Sequence, residues 1–281
     1  MSRLNARALE PFGFEVDLAG IPEPGSPEAR ELGDLYQRDG LLVARGLTLS
    51  QADQLRLCRL LGPVSESPYD TFTVSNVDAE GFLGQRDLLW HNDVPFLPSP
   101  YHGAALHALT VEGRVVSTRF ASGYRGYERL PDGLKQRLAG LKALHVRERV
   151  LDRPTRLDDL LDGDICAVHS LVRTNKTTKR KYLFINQAWM DHVIGLGAEE
   201  NAALLKELSA RFYADDNVYE HRWQPGDLVI WDNLALNHAR GPATEGTRTL
   251  QRTTITEFGY LEQYPAGLAI AEELHNETML A

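Results

Sequence analysis

Apolar positions follow two rhythms along this chain. Between residues 199 and 212, Leu204, Leu205, Leu208 and Phe212 fall on one stripe at helical spacing, which predicts an amphipathic helix. Ser26-Pro27-Glu28 reads as a helix start, with a serine cap, proline at the first position and an acid behind it; this helix runs to about residue 38. Ser50 with Asp53 three residues later is a capping pattern. It opens a helix carrying Leu55, Leu57, Cys58 and Leu61, which Gly62 stops. Residues 131–141 read as a short helix. Short apolar runs and period-two alternation predict strands at 14–18, 41–45, 88–94, 104–109, 181–186, 228–231 and 252–258. Gln224-Pro225-Gly226-Asp227 has the residue order of a type II turn and feeds the strand at 228–231.

Two stretches carry few regular signals. Residues 63–87 are polar and lie just before the strand that contains His91, and a long irregular segment in such a place is more often functional than not. Residues 146–164 are dense in charge, including Arg147, Glu148, Arg149, Asp152 and Arg153, and read as a lid or equally as a solvated surface loop. Many short strands with turn punctuation, and helices toward the N-terminus and in crossings, predict a mixed α+β fold. Its core is a β-sandwich or jelly roll buttressed by helices. With 281 residues, the chain is read as one domain spanning 1–281, with residues 1–25 as an N-terminal extension.

Composition narrows the function classes. Hydrophobic residues at 43% and charged residues at 25% suit a sizeable core. A net charge of −9 argues against general nucleic-acid binding, which needs a basic face. It leaves room for a small anionic ligand, because one buried arginine can hold one carboxylate. The two cysteines, Cys58 and Cys166, form no Cys-x-x-Cys pair, so they are read as reduced thiols rather than zinc ligands. Arg3, Arg7, Glu10 and Glu15 leave no apolar stretch for a secretory leader, and no run approaches the ~18 apolar residues of a membrane span. The expectation is a cytoplasmic protein with a small-molecule substrate and no nucleic-acid or membrane partner; self-association stays open.

The chemistry-bearing residues lie far apart. His91 and Asp93 are two apart, so on one strand they would face the same way. His238 must arrive from another strand or loop. Two histidines and one carboxylate can form a facial triad that leaves open positions on Fe(II), the arrangement of non-haem iron oxygenases. Arg252 lies on the last predicted strand and offers a bidentate clamp for a carboxylate. Arg248, four residues earlier, is a second positive contributor.

Several segments then carry a resemblance. They are Trp90-His91-Asn92-Asp93-Val94-Pro95-Phe96, His169-Ser170-Leu171-Val172-Arg173-Thr174, Arg180-Lys181-Tyr182-Leu183-Phe184-Ile185-Asn186, His221 to Asp227, and Trp231-Asp232-Asn233 with His238 and Arg252. In that order, over roughly residues 30–260, the chain resembles the taurine/2,4-dichlorophenoxyacetate dioxygenase family of Fe(II)- and 2-oxoglutarate-dependent oxygenases. The resemblance implies a double-stranded β-helix core. It implies that His91, Asp93 and His238 ligate Fe(II), that the 2-oxo acid chelates the metal, and that O2 takes the remaining position. It also implies that Arg252 and Thr118 hold the distal carboxylate of 2-oxoglutarate, with Arg248 as a second arginine near the co-substrate. Asp93 favours hydroxylation over halogenation, because halogenating relatives replace the carboxylate. Succinate and CO2 would be released.

The substrate is less legible. Sulfonate-using relatives carry a histidine after the segment matching residues 61–64 and an asparagine shortly before the ligand histidine. Here those places hold Ser65-Glu66-Ser67-Pro68-Tyr69-Asp70 and Asp87. Asp87, with Glu66 or Asp70, is therefore expected to face a cationic or hydroxyl-rich substrate, and Asn76 is a further candidate contact; solvated acids are the bland alternative. His102, His107, His145, His192 and His275 show no partner pattern. His169 and His221 are read as makers of structural hydrogen bonds, and Trp90 and Trp231 as packing residues. Desaturation, epoxidation or isonitrile formation on the same scaffold, a non-catalytic jelly-roll binding protein and a zinc hydrolase are the rival readings.

Overall fold

A computed structural model describes residues 4–76, 89–147, 164–242 and 245–265. The N-terminal half contains β1 (Asn5–Ala8), β2 (Phe14–Asp17), α1 (Pro27–Asp39), β3 (Leu41–Ala44), α2 (Gln51–Arg59), β4 (Val64–Ser65), β5 (Thr73–Ser75), β6 (Gly103–Glu112) and β7 (Thr118–Ser122). It continues through α3 (Gly123–Glu128), α4 (Asp132–Leu138), β8 (Lys142–Val146), β9 (Cys166–Ser170), β10 (Val172–Thr174), β11 (Lys181–Leu183) and β12 (Met190–Val193). The last part holds α5 (Ala198–Phe212), β13 (Val218–His221), β14 (Leu228–Asp232), β15 (Leu236–Arg240), β16 (Thr247–Ile255) and α6 (Tyr260–Gln263).

The helix starts follow the predicted chemistry. Ser26 Oγ accepts from Ala29 N ahead of Pro27, and Gly40 ends α1 with a φ of 74°. Ser50 and Asp53 form a reciprocal capping box at α2. The turn before β14 also forms as read, with Asp227 N donating to Gln224 O at 3.1 Å and Gly226 at φ 77°. A side chain at Gly226 would meet Leu47 O at 2.8 Å, so only glycine fits.

The main sheet runs β1-β2-β3-β14-β6-β16-β4, with β5 also paired to β16. A second sheet runs β13-β7-β15 and a third β12-β8-β9. β3 is buried at all four positions because both its faces are covered. Leu42 and Ala44 pack under α1 and α2 with Leu32, Tyr36, Leu57 and Cys58. Leu41 and Val43 point the other way, into a layer shared with Phe120, Val229, Trp231, Leu236 and Leu250. That layer joins the main sheet to the β13-β7-β15 sheet. α5 presents its predicted stripe, Leu204, Leu208 and Phe212, to a third apolar cluster that includes Trp90, Ala121 and Ala239.

Several expected boundaries move. The 88–94 segment does not form a strand where it is described: its one pairing is an isolated bridge between His91 and His238. Val94 adopts φ 47°, which turns the chain before Pro95, and extended pairing cannot pass through that geometry. β16 starts at Thr247 and ends at Ile255 instead of covering 252–258, because Thr256 and Phe258 close a turn on each other. α4 stops at Leu138 rather than residue 141, and β11 stops at Leu183 rather than residue 186. The expected irregular stretch at 63–87 contains two short strands, β4 and β5, where it is described. Most of the charged stretch at 146–164 and residues 77–87, Asp87 among them, lie outside the described residues. Among the described residues no helix is long and apolar enough to cross a membrane.

Candidate metal centre

His238 sits in the middle of β15, opposite Phe120 of β7. The chain after Trp90 runs along the free edge of β15, and His91 and His238 exchange backbone hydrogen bonds at 3.0 and 2.8 Å. The two imidazoles therefore come from neighbouring segments, with ring centroids 4.1 Å apart. Asp93 does not share a strand face with His91, as strand spacing would have it. The turn after His91 swings it round instead. The outcome for chemistry is the same, because Asp93 Oδ1 stands 3.7 Å from His91 Nε2 and 3.6 Å from His238 Nε2.

One ligand atom from each of His91, Asp93 and His238 lies within 4.8 Å of the others, and this is the one such group of three among the described residues. An ion bound at about 2.0–2.2 Å to nitrogen and oxygen places neighbouring donors about 3 Å apart, so small inward shifts complete the site. The tautomer is also suitable. His91 Nδ1 lies 2.7 Å from Leu89 O, which can only accept, so Nδ1 carries a proton and Nε2 is the nitrogen left to serve as a ligand. Burial, and then the neighbouring His91, push His238 down to about 3, which keeps that ring neutral and able to bind a cation. Burial would raise the carboxyl of Asp93, but Arg252, His238 and His91 outweigh it and hold it well below the usual carboxylate range. Phe120 and Trp231 pack beside His238 and make a dry wall. These residues fit a divalent cation.

The two arginines separate. Arg252 Nη2 donates to Asp93 Oδ2 at 2.7 Å, and its Nε lies 3.3 Å from Thr254 Oγ1. Arg248 lies farther along β16. Its Nη1 donates to Val116 O at 2.6 Å and its guanidinium stands 5.9 Å from the Trp223 ring, while Trp223 Nε1 donates to Thr118 Oγ1 at 3.0 Å. Arg248, Trp223 and Thr118 thus form one group, and Arg252 belongs to Asp93. Among the described residues no carboxylate pairs with Arg248, although it is only 6% exposed. Burial, with Arg240 nearby, lowers it to about 10. A buried guanidinium without a counter-charge is able to receive an anion.

The expected substrate contacts are engaged elsewhere. Asp70 is fully buried, accepting from Ser65 Oγ at 2.6 Å and from the Tyr101 hydroxyl. Glu66 is an exposed partner of Arg59. Asn76 holds β16, accepting from Arg248 N at 2.8 Å and donating to Gly246 O at 2.9 Å. His221 pairs with Asp227 at 3.0 Å and His169 with Leu97 O at 3.1 Å, both structural as read. Trp223 lies inside the His221-to-Asp227 segment, but its contact with Thr118 is not legible from the sequence.

The profile of the family described as "Taurine catabolism dioxygenase TauD, TfdA family" matches residues 5–254. The chain belongs to this family. It is an alpha-ketoglutarate-dependent dioxygenase, of the class that uses Fe(II), 2-oxoglutarate and O2. It is 34% identical over 259 residues to the alpha-ketoglutarate-dependent 2,4-dichlorophenoxyacetate dioxygenase of Cupriavidus pinatubonensis, covering 83% of this chain and 90% of that protein. Pentalenolactone F synthase of Streptomyces avermitilis is 28% identical over 275 residues, with 86% and 90% covered. Among solved structures, AAD-2 in complex with Mn(II) and N-oxalylglycine superposes with a TM-score of 0.76 at 24% identity, covering 92% of this chain and 99% of that one. A taurine dioxygenase from Burkholderia xenovorans gives 0.74 at 20% identity, with 90% of each chain covered. These two structures share the mixed α/β fold of the dioxygenase.

Proposed function

We propose that His91, Asp93 and His238 hold the Fe(II) of this dioxygenase, and that Arg248 with Thr118 anchors the distal carboxylate of 2-oxoglutarate. The observation that carries the reading is the convergence of two buried histidines and one partly buried carboxylate within 4.8 Å. When bound, the metal with 2-oxoglutarate and O2 supplies oxidative decarboxylation, giving succinate and CO2, coupled to hydroxylation of a substrate C–H. The protein supplies placement. His91 and His238 present ring nitrogens from adjacent segments, and Asp93 offers Oδ1 while Arg252 occupies Oδ2. Trp223 orients the Thr118 hydroxyl by donating to it, so its own proton is free to meet a carboxylate.

This reading moves the co-substrate clamp from Arg252, where the linear sequence put it, to Arg248. Arg252 then faces the metal from the Asp93 side and can meet an anionic group on the substrate. The names of three relatives support an anionic small molecule: the 2,4-dichlorophenoxyacetate dioxygenase, the (S)-phenoxypropionate/alpha-ketoglutarate-dioxygenase of Sphingobium herbicidovorans and the alkylsulfatase of Acinetobacter baylyi. The cationic substrate expected from the acidic residues loses Glu66 and Asp70, whose carboxylates have other partners. The substrate class proposed is therefore an aryloxyalkanoate or similar carboxylate.

The finer architecture follows the same logic. The main sheet and the β13-β7-β15 sheet enclose one apolar layer, which supports a double-stranded β-helix core within a single oxygenase domain. Two free cysteines suit a cytoplasmic setting. The test is anaerobic reconstitution with Fe(II) and 2-oxoglutarate, then admission of O2 with a panel of aryloxy acids, sulfonates and amino acids. Succinate release stimulated by aryloxy acids is expected. A protein that binds no Fe(II), or releases no succinate with any compound, sinks the reading.

A further inference from the structure

Three buried asparagines lie among the ligands. Asn92 stands between His91 and Asp93, Asn237 precedes His238, and Asn233 lies in the turn from β14 to β15; each is at most 1% exposed. They are joined. Asn237 Nδ2 donates to Asn92 Oδ1 at 2.7 Å. Asn92 Nδ2 donates to Asn233 O at 2.6 Å and Leu236 O at 3.2 Å. Asn233 Oδ1 accepts from Asp93 N at 2.8 Å, and its Nδ2 donates to Asp93 O at 3.1 Å and Tyr101 O at 3.0 Å. At the outer end, the Tyr213 hydroxyl donates to Asn237 Oδ1 at 2.7 Å.

Each amide orientation is forced. Asn233 meets a backbone N–H on one side and two carbonyls on the other, so reversing it would oppose donor to donor and acceptor to acceptor. Asn92 likewise faces two carbonyls with its NH2. Both hydrogens of Asn92 and of Asn233 have partners, as do their side-chain oxygens. A fully satisfied buried network is stiff, because leaving any member unpaired costs more than the bond it makes.

The network does more than fill space. Asn233 grips the backbone of Asp93 through both its N–H and its C=O. Asn92 and Asn237 tie the His91–Asp93 segment to β15 beside His238, at the place where only an isolated bridge joins the two. Without regular strand pairing, the spacing of the three ligands rests on this network together with the His91–His238 backbone pair, the Leu89 contact of His91 and the Arg252 contact of Asp93.

We propose that Asn92, Asn233 and Asn237 are positioning residues that assemble the metal site before the metal arrives, and that Tyr213, at the end of α5, fixes the outer end of the chain of hydrogen bonds. The proposal rests on the assignment of His91, Asp93 and His238 as ligands. The network would hold the three donors together before a metal binds, so binding would cost little rearrangement of the chain.

The experiment titrates Co(II) and Mn(II) into the metal-free full chain and into Asn92→Ala and Tyr213→Phe, by calorimetry and by the visible absorption of Co(II). Melting temperatures are recorded with and without metal. Changes in residues that orient metal ligands typically weaken binding about 10- to 100-fold. Asn92→Ala is expected in that range, with an altered Co(II) spectrum. Tyr213→Phe, which keeps the ring and removes only the terminal hydroxyl, is expected to weaken binding several-fold. A merely structural role would lower the melting temperature of metal-free and metal-loaded protein alike and leave the metal-induced rise unchanged. A positioning role shrinks that rise, because stabilisation by a ligand follows its affinity. Wild-type affinity and spectrum in folded Asn92→Ala overturn the proposal. If Asn92→Ala does not fold, Tyr213→Phe decides: weaker binding supports the proposal, and unchanged binding overturns it. Failure of the wild-type chain to bind either metal instead refutes the ligand assignment itself.

Discussion

Replacing Arg248 by glutamine tests the division of labour between the two arginines. Arg248 is buried without an acidic partner among the described residues and lies with Trp223 and Thr118, whereas Arg252 already contacts Asp93. If Arg248 holds the distal carboxylate, the variant leaves a buried anion without its cation. Truncating one partner of a buried hydrogen-bonded charge pair costs about 2–5 kcal/mol. At about 1.4 kcal/mol per decade, the dissociation constant for 2-oxoglutarate should rise roughly 30-fold to several-thousand-fold. The variant also loses the 2.6 Å hydrogen bond to Val116 O, so a stability loss of about 1–3 kcal/mol accompanies it. Glutamine limits that loss by keeping a donor. The assay is anaerobic titration of Fe(II)-loaded protein with 2-oxoglutarate, followed by the colour of the metal–keto acid chelate, with Arg252→Gln run in parallel. Arg252→Gln should bind 2-oxoglutarate within a few-fold of wild type once saturated with metal. The opposite result, with wild-type affinity in Arg248→Gln and its loss in Arg252→Gln, would restore the assignment suggested by the linear sequence.

Other perturbations follow from the same geometry. Asp93→Ala should abolish Fe(II) binding and lower the stability of the metal-free protein by about 3–5 kcal/mol, since Arg252 is left buried without its partner; equal melting temperatures for the two metal-free proteins would contradict this. Thr118→Val removes the acceptor of Trp223 Nε1 and should cost about 1–3 kcal/mol of stability and several-fold in 2-oxoglutarate affinity, both readable in one set of titrations and melts. Burial pushes His145 down to about 3, with His169 beside it, and His169 down to about 4, with Arg173 near. Both rings stay neutral in the fold and take up protons on unfolding below about pH 6.5. Their contribution to stability is therefore complete above that pH and is lost as pH falls toward the folded values. Unfolding free energies from denaturant titrations should drop between pH 7 and pH 5, at up to about 1.4 kcal/mol per pH unit for each ring; a flat profile would show that the rings keep ordinary values when folded.

The linear pattern was sufficient for features that depend on near neighbours. The caps at Ser26 and Ser50, the stripe of α5 and the Pro225-Gly226 turn are local chemistry, settled within a few residues. The short central strands β7 and β15 are not legible from the sequence, because they are brief and lack marked alternation and their existence depends on pairing far along the chain. The candidate ligands stand out through the order of motifs, but the means by which His91 and Asp93 converge does not. A strand was expected, and a single bridge, a turn at Val94 and hydrogen bonds from Asn233 take its place. Arg248 and Arg252 illustrate the same limit. Four residues apart on β16, they share a strand periodicity and a chemistry, so sequence spacing alone treats them as equivalent. Only the tertiary structure brings Val116 to one arginine and Asp93 to the other, because partners 132 and 159 residues away are chosen by packing and not by local preference.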